Sequence, residues 1–190
     1  MSRVDEILDF WFGRDCRREF ATRSRLWFEP RSEFDRQCTW RFLGDCHQAA
    51  SGLLDEWRGE ARSCLALILL LDQLPRNIFR NQPRAFATDS YALAVAKDAL
   101  RRAIDRRVEL PERLFFYLPL EHSENLFDQR QSVELAQTAA VEYPPAADFV
   151  KHAREHLATI ERFGRFLHRN AILGRASTPE EITFLKNSPG

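Results

Sequence analysis

Apolar residues recur along this chain at helical spacing. Val4, Ile7, Leu8, Trp11 and Phe12 follow the i, i+3, i+4, i+7, i+8 pattern of one amphipathic helix. Ser32 is placed to cap a helix carrying Phe34, Cys38, Phe42 and Cys46, with a break near Gly52 before Leu53, Leu54 and Trp57. The next segment, 60–74, contains eight consecutive apolar residues, Cys64 to Leu71. A helix without a polar face belongs in the middle of a domain. Pro75 is expected to stop it, because proline pushes the preceding residue out of the α region.

Thr88 or Asp89 is expected to cap the helix SYALAVAKDALRRAI. Pro111 suits the first turn of PERLFFYLPLEHSENL, and Pro119 is expected to kink or end that helix. A helix over 124–140 follows, with Ser123 as its cap and Glu124 and Asp128 on one face, before a break at Tyr143-Pro144-Pro145. Residues 146–163 place Phe149, Val150, Ala153, Leu157, Ile160 and Phe163 on one face, and Gly164 ends the helix. Ser177-Thr178-Pro179-Glu180-Glu181 reads as a capping box that launches a short terminal helix. No alternating run reads as a strand. The pattern predicts an all-α chain: one compact domain over 1–190, with about eight or nine helices joined by short connections. The aromatics Trp11, Phe12, Trp27, Phe28, Trp40 and Trp57 fall at helix-face spacing and are expected in the core.

Charge narrows the function classes. Lys plus Arg equals Asp plus Glu, 28 each, so the net charge is zero and a general nucleic-acid binder is disfavoured. Only Lys97, Lys151 and Lys186 are lysines. Arginine suits carboxylate pairs and anion sites better than lysine, although a high-GC genome gives the same skew. Cys16, Cys38, Cys46 and Cys64 form no C-x-x-C pair, so zinc and thioredoxin-type chemistry lack their spacing. The start, MSRVDEILDFWF, is unlike a secretory signal, and no apolar run approaches the ~18 residues of a membrane span. The expectation is a cytoplasmic protein with reduced thiols, no membrane partner and no cofactor. The sequence leaves the oligomeric state open.

Three polar clusters carry the candidate chemistry. In LDQLPRNIFR, Asp72 directly follows the apolar run, so its carboxylate is expected to be partly buried and to need a partner. Arg76, Arg80 and Arg84 lie four apart and can supply it, either as a clamp on the core or as an anion site. The clamp is favoured. In EHSENLFDQ, residues 121–129, Glu121, His122, Glu124, Asp128 and Gln129 crowd near Pro119 and can serve acid–base chemistry or bind a metal, with helix capping favoured. In ERFGRFLHRNAILGR, residues 161–175, Arg162, Arg165, His168, Arg169, Asn170 and Arg175 crowd around Gly164 and Gly174 and can form a ligand surface or a buried network. His152-Ala153-Arg154-Glu155-His156 matches H-x-x-E-H, but so short a match arises readily by chance, and no metal is expected. Nucleotide-binding and α/β-hydrolase motifs are absent from the sequence.

LDQLPRNIFR with PRAFATD, YLPLEHSENLFDQ and RFGRFLHRNAILGRASTPEE together resemble the bacterial domain-of-unknown-function family 924. The resemblance runs from ILDFWFG to TPEEITFL. It implies a helical, tetratricopeptide-repeat-like fold and carries no activity with it. Its marked positions fall on Asp72, Gln73, Pro75, Arg76, Asn77, Arg80, Arg84 and Asp89, on His122, Ser123, Glu124 and Gln129, and on His156, Gly164, Arg165, His168, Arg169, Asn170 and Arg175. Leu167 stands where the family usually has proline, and Asn81 where it often has glycine, so both loops are expected to differ. The repeat signature W-x-x-L-G-x-x-Y is absent, so the resemblance does not imply a peptide groove.

Two functional readings follow. The first is a binding module for a protein segment or a small anionic ligand. Its site is lined by Asp72, Arg76, Asn77, Arg80, His122, Glu124, Gln129, Arg165, His168, Arg169 and Asn170. The alternative is an enzyme acting on a small anionic substrate, with His122 or His168 as acid–base and Glu124 or Asp128 orienting it. A third outcome is a polar network that ties the helices together without a ligand.

Overall fold

A computed structural model describes residues 1–28 and 32–187; the side chain of Phe28 lies outside the described residues. Among these residues there are nine helices and no strand. They are α1 (Arg3–Phe12), α2 (Cys16–Phe28), α3 (Ser32–Ala50), α4 (Ala61–Ile68, Leu69–Gln73 and Leu74–Ile78 in one run), α5 (Asp89–Arg101), α6 (Leu110–Glu121), α7 (Leu126–Glu142), α8 (Ala147–Phe163) and α9 (Pro179–Asn187). Short 3-10 turns join several of them.

The apolar stripe of α1 is buried as expected, through Ile7, Leu8, Trp11 and Phe12. Phe115 of α6 stands at the centre of an aromatic cluster. It meets Trp11, Phe12 and Trp27 edge-on, with centroids 6.0, 5.0 and 4.8 Å away. Phe149 of α8 and Phe20 of α2 close the cluster. The indole of Trp27 donates to the Trp11 carbonyl at 3.0 Å, so its polar edge is satisfied inside the core. Residues 64–71 are all fully buried, which confirms α4 as the central helix. Trp40 departs from expectation: it is 82 % exposed, because it lies off the α3 face that buries Phe34, Cys38, Phe42 and Cys46. Trp57 is only partly buried.

Pro75 does not stop α4. The helix widens into a π turn at Leu69–Gln73 and continues to Ile78. Two side chains explain how. A proline lacks the N–H that would bond the carbonyl four residues back. That carbonyl, Leu71, instead accepts from the Thr88 hydroxyl at 2.5 Å. The Asp72 carbonyl accepts from Arg76 Nη1 at 2.6 Å. Thr88 therefore occupies the N-cap position of α5 without capping it through its side chain.

Pro119 is held inside the last turn of α6, which ends at Glu121 with His122 as its C-cap. The following helix starts later than expected. Asn125, not Ser123, caps α7 by accepting from the Phe127 and Asp128 amides. Glu124 is thus left outside the helix, and its side chain is free to turn away from Asp128. Elsewhere the punctuation matches the sequence. Gly164 ends α8 at φ 69°, and Thr178 and Glu181 form the box that starts α9. Asn81 adopts φ 62°, the left-handed conformation that glycine takes most easily and that asparagine tolerates.

Candidate functional site

The π turn aims the Asp72 side chain into a fully buried position. Such turns are frequent at functional sites because they re-aim side chains relative to a regular helix. Three groups receive its carboxylate. His122 Nδ1 lies 2.7 Å from Oδ1, Arg76 Nη1 lies 3.3 Å from the same oxygen, and the Gln73 amide donates to Oδ2. Burial alone would raise this carboxyl. Arg76, His122 and Gln73 more than reverse that and hold it well below the usual carboxylate range. An ionised Asp72 fixes the imidazole with its proton on Nδ1. Burial, and then Arg76, push the His122 pKa below its ordinary value, so the ring is neutral at pH 7.

Arg76 and Arg169 share a second carboxylate, Asp89, at the start of α5. Arg76 grips it with two bonds, at 2.9 and 3.0 Å, and Arg169 adds one at 3.1 Å. The Arg169 guanidinium lies over the rings of Phe86 and Phe166, 4.7 and 4.5 Å from their centroids. His122, Asp72, Arg76, Asp89 and Arg169 thus form one continuous polar centre. His168 borders it as an exposed residue whose ring meets Phe166. Burial and then the Arg169 charge push its pKa down to about 4.

The remaining candidates are not gathered at this centre. Arg80 grips Asp35 of α3 with bonds of 2.7 and 2.8 Å, and Asn77 joins at 2.8 Å. These residues clamp α4 to α3. Arg165 grips Glu181 at 2.8 Å, and Asn170 donates to Ser177 and Glu181, so this group docks α9. Gln129 donates to the carbonyls of Glu121 and Ser123 and holds the α6–α7 turn. Glu124 accepts from Arg175 and from the Phe166 amide, bracing the loop that carries Arg169. Neither Glu124 nor Asp128 orients His122; Asp128 accepts from Ser123 and lies 2.6 Å from Lys97 Nζ. The orienting carboxylate is Asp72. Arg84 stacks on Phe79 and meets His47.

The H-x-x-E-H residues diverge. His156 lies 3.1 Å from Glu121 Oε1, misaligned for a hydrogen bond, and packs edge-on against Phe166. His152 borders a cavity between α2 and α8, and Glu155 is exposed. Among the described residues no three His, Cys, Asp or Glu side chains are grouped to hold a metal. Nothing in the local sequence marks Asp35, Phe86 or Glu181 as a partner of a distant arginine. A cavity of about 780 Å³ between α1, α2 and α3, lined by Phe10, Trp40 and Arg41 among others, contains none of the candidate residues.

These features define an all-α protein built around a buried network of arginines, carboxylates and histidines. The chain belongs to the family described as bacterial protein of unknown function (DUF924), which matches residues 7–189. It is similar to the solved structure of a protein of unknown function, ATU0120, from Agrobacterium tumefaciens. The two share 40% sequence identity over 97% of each chain, with a TM-score of 0.85. No curated protein matches the chain.

Proposed function

We propose that the protein binds a small anionic ligand at Arg169, beside His168 and His122. The observation that carries this reading is the poor satisfaction of Arg169. The residue is 7 % exposed, yet among the described residues it makes a single hydrogen bond, to a carboxylate that Arg76 already holds twice. Its Nε is buried without a partner among the described residues. Burial, and then the Arg76 charge, push its pKa down to about 10. The stacked rings cover the faces of the guanidinium and leave donors at its edge for an oxyanion. Of the other arginines in the three clusters, Arg76, Arg80, Arg165 and Arg175 each grip a carboxylate, and Arg84 lies over Phe79 and beside His47. Four unpaired cysteines, three of them buried, support a cytoplasmic setting.

Calorimetric titration with sulfate at constant ionic strength tests the reading. A saturable heat is expected for the native chain. Arg169→Gln should weaken binding by about 10- to 100-fold, the value of a charge-assisted hydrogen bond, while Arg169→Lys retains part of it. A helical circular-dichroism spectrum confirms that each variant is folded. Equal affinity in Arg169→Gln would overturn the assignment.

A second reading, an enzyme acting on a small anionic substrate, is favoured by the Asp72–His122 pair. It joins a buried carboxylate to a neutral imidazole of fixed tautomer, the arrangement of a general base. Turnover of small phosphate or carboxylate esters that survives His122→Asn would exclude His122 from that role.

A further inference from the structure

The polar centre holds two arginines and two carboxylates. Arg76 and Arg169 face Asp72 and Asp89, and His122 and His168 are neutral at pH 7. The bordering pair Arg175–Glu124 also balances. An anion entering at Arg169 therefore brings an uncompensated charge into a largely buried site, which is costly unless a positive charge is supplied with it.

His122 is arranged to supply that charge. Its Nδ1–H donates to Asp72, so its second nitrogen keeps a lone pair. Among the described residues no group hydrogen-bonds Nε2, and the side chain is 14 % exposed, so a proton can reach it. Protonation there creates an imidazolium whose other edge already rests on an ionised carboxylate. The charged groups that act on His122 come from two helices: Asp72 and Arg76 from α4, and Asp89 from α5. His168 and Arg169, from the turn at Leu167–Arg169, border the same centre. Burial and then the Arg76 charge oppose protonation. An oxyanion near Arg169 offsets both, and its second negative charge adds to the effect.

Resting on the anion site proposed above, we infer that the site takes a small dianion together with one proton, which His122 accepts at Nε2. The ligand class is a sulfate-like or phosphate-monoester dianion, or a compact dicarboxylate, in preference to a monoanion of similar size. No bond in the ligand is made or broken; the proton comes from solvent and leaves with the ligand.

Sulfate is the suitable probe because it stays fully ionised across the useful pH range, unlike phosphate. Titration at pH 7.5 in two buffers of different ionisation heat should show about one proton taken up per sulfate bound. Affinity should fall about tenfold per pH unit between pH 7 and 8. Methanesulfonate, a monoanion, should bind more weakly and with less uptake. In the native protein, nitrogen-15 spectra should show His122 Nε2 moving from unprotonated to protonated as sulfate is added, which needs no variant to fold. His122→Gln should bind sulfate without proton uptake and without pH dependence, whereas His168→Gln should keep both. Absence of saturable sulfate binding would sink the anion site itself. Sulfate binding without proton uptake, or uptake that persists in His122→Gln, would overturn the proton-coupled site alone.

Discussion

The aromatic core around Phe115 and the polar centre around Asp72 are both buried, yet they are specified differently. Phe115 meets Trp11, Phe12, Trp27 and Phe149 through apolar contact, with edge-on geometry as a refinement. Such contact tolerates many partners of suitable size. Asp72 requires particular donors at particular distances, and each donor must itself be held. Burial stabilises the first region directly. In the second it costs free energy that only well-placed opposite charges recover. Arg169, the arginine proposed above to hold an anion, belongs to the second region.

Truncating the aromatic hub should have the largest effect. Phe115→Ala is expected to destabilise the fold by about 3–5 kcal/mol in denaturant unfolding, as for other large-to-small core changes. Asp72→Asn should cost about 3 kcal/mol, since the amide keeps the shape but leaves Arg76 short of a counter-charge. The two regions should then separate in a double-mutant cycle. Asp72→Asn with Arg76→Met should depart from additivity by about 0.5–3 kcal/mol, while Asp72→Asn with Phe115→Ala should add, if the regions are independent. A smaller loss, about 1–3 kcal/mol, is expected for Thr88→Val, which leaves the Leu71 carbonyl beneath Pro75 unsatisfied. Restored stability in Thr88→Ser, but not in Thr88→Val, would tie the effect to the hydroxyl.

The smallest expected effect is on pH dependence, and it belongs to the polar groups, not to the aromatic core. The folded pKa values of His122 and His168 lie below the ordinary histidine value, so folding favours their neutral forms. Their contribution is present above about pH 6.5 and is lost as pH falls, for His168 down to about 4. His168 is exposed, which limits its share. The depressed carboxyls of Asp72, Asp35 and Glu124 add a further loss at more acidic pH. Chemical unfolding across pH 4–8 should show His168→Gln with a flatter profile than the native chain. An unchanged profile would remove His168 from the account.

Much of the architecture was legible in the residues. The stripe of α1, the all-apolar centre of α4, the Gly164 stop and the Thr178–Glu181 box all stand as their local patterns require. Pro75 breaks the local rule because its remedy is not local. The hydroxyl that replaces its missing donor comes from Thr88, 17 residues away from the Leu71 carbonyl. Trp40 was misread because a short aromatic spacing does not say which face of α3 meets a neighbour.

The sequence by itself determined the helices, their caps and the apolar faces that make a core. Those are set by periodicity and by interactions within a few residues, and apolar burial is indifferent to direction. The sequence also showed that the polar clusters would need partners. Only the tertiary structure decided which ones. Asp72 found His122 50 residues on, Asp89 found Arg169 at a separation of 80, and Asp35 took the Arg80 and Asn77 donors from 45 and 42 residues away. A charged hydrogen bond depends on distance and angle between groups whose positions are fixed only when the helices dock. The carboxylate that orients His122 therefore lay hidden in LDQLPRNIFR until α4 and α6 were packed together.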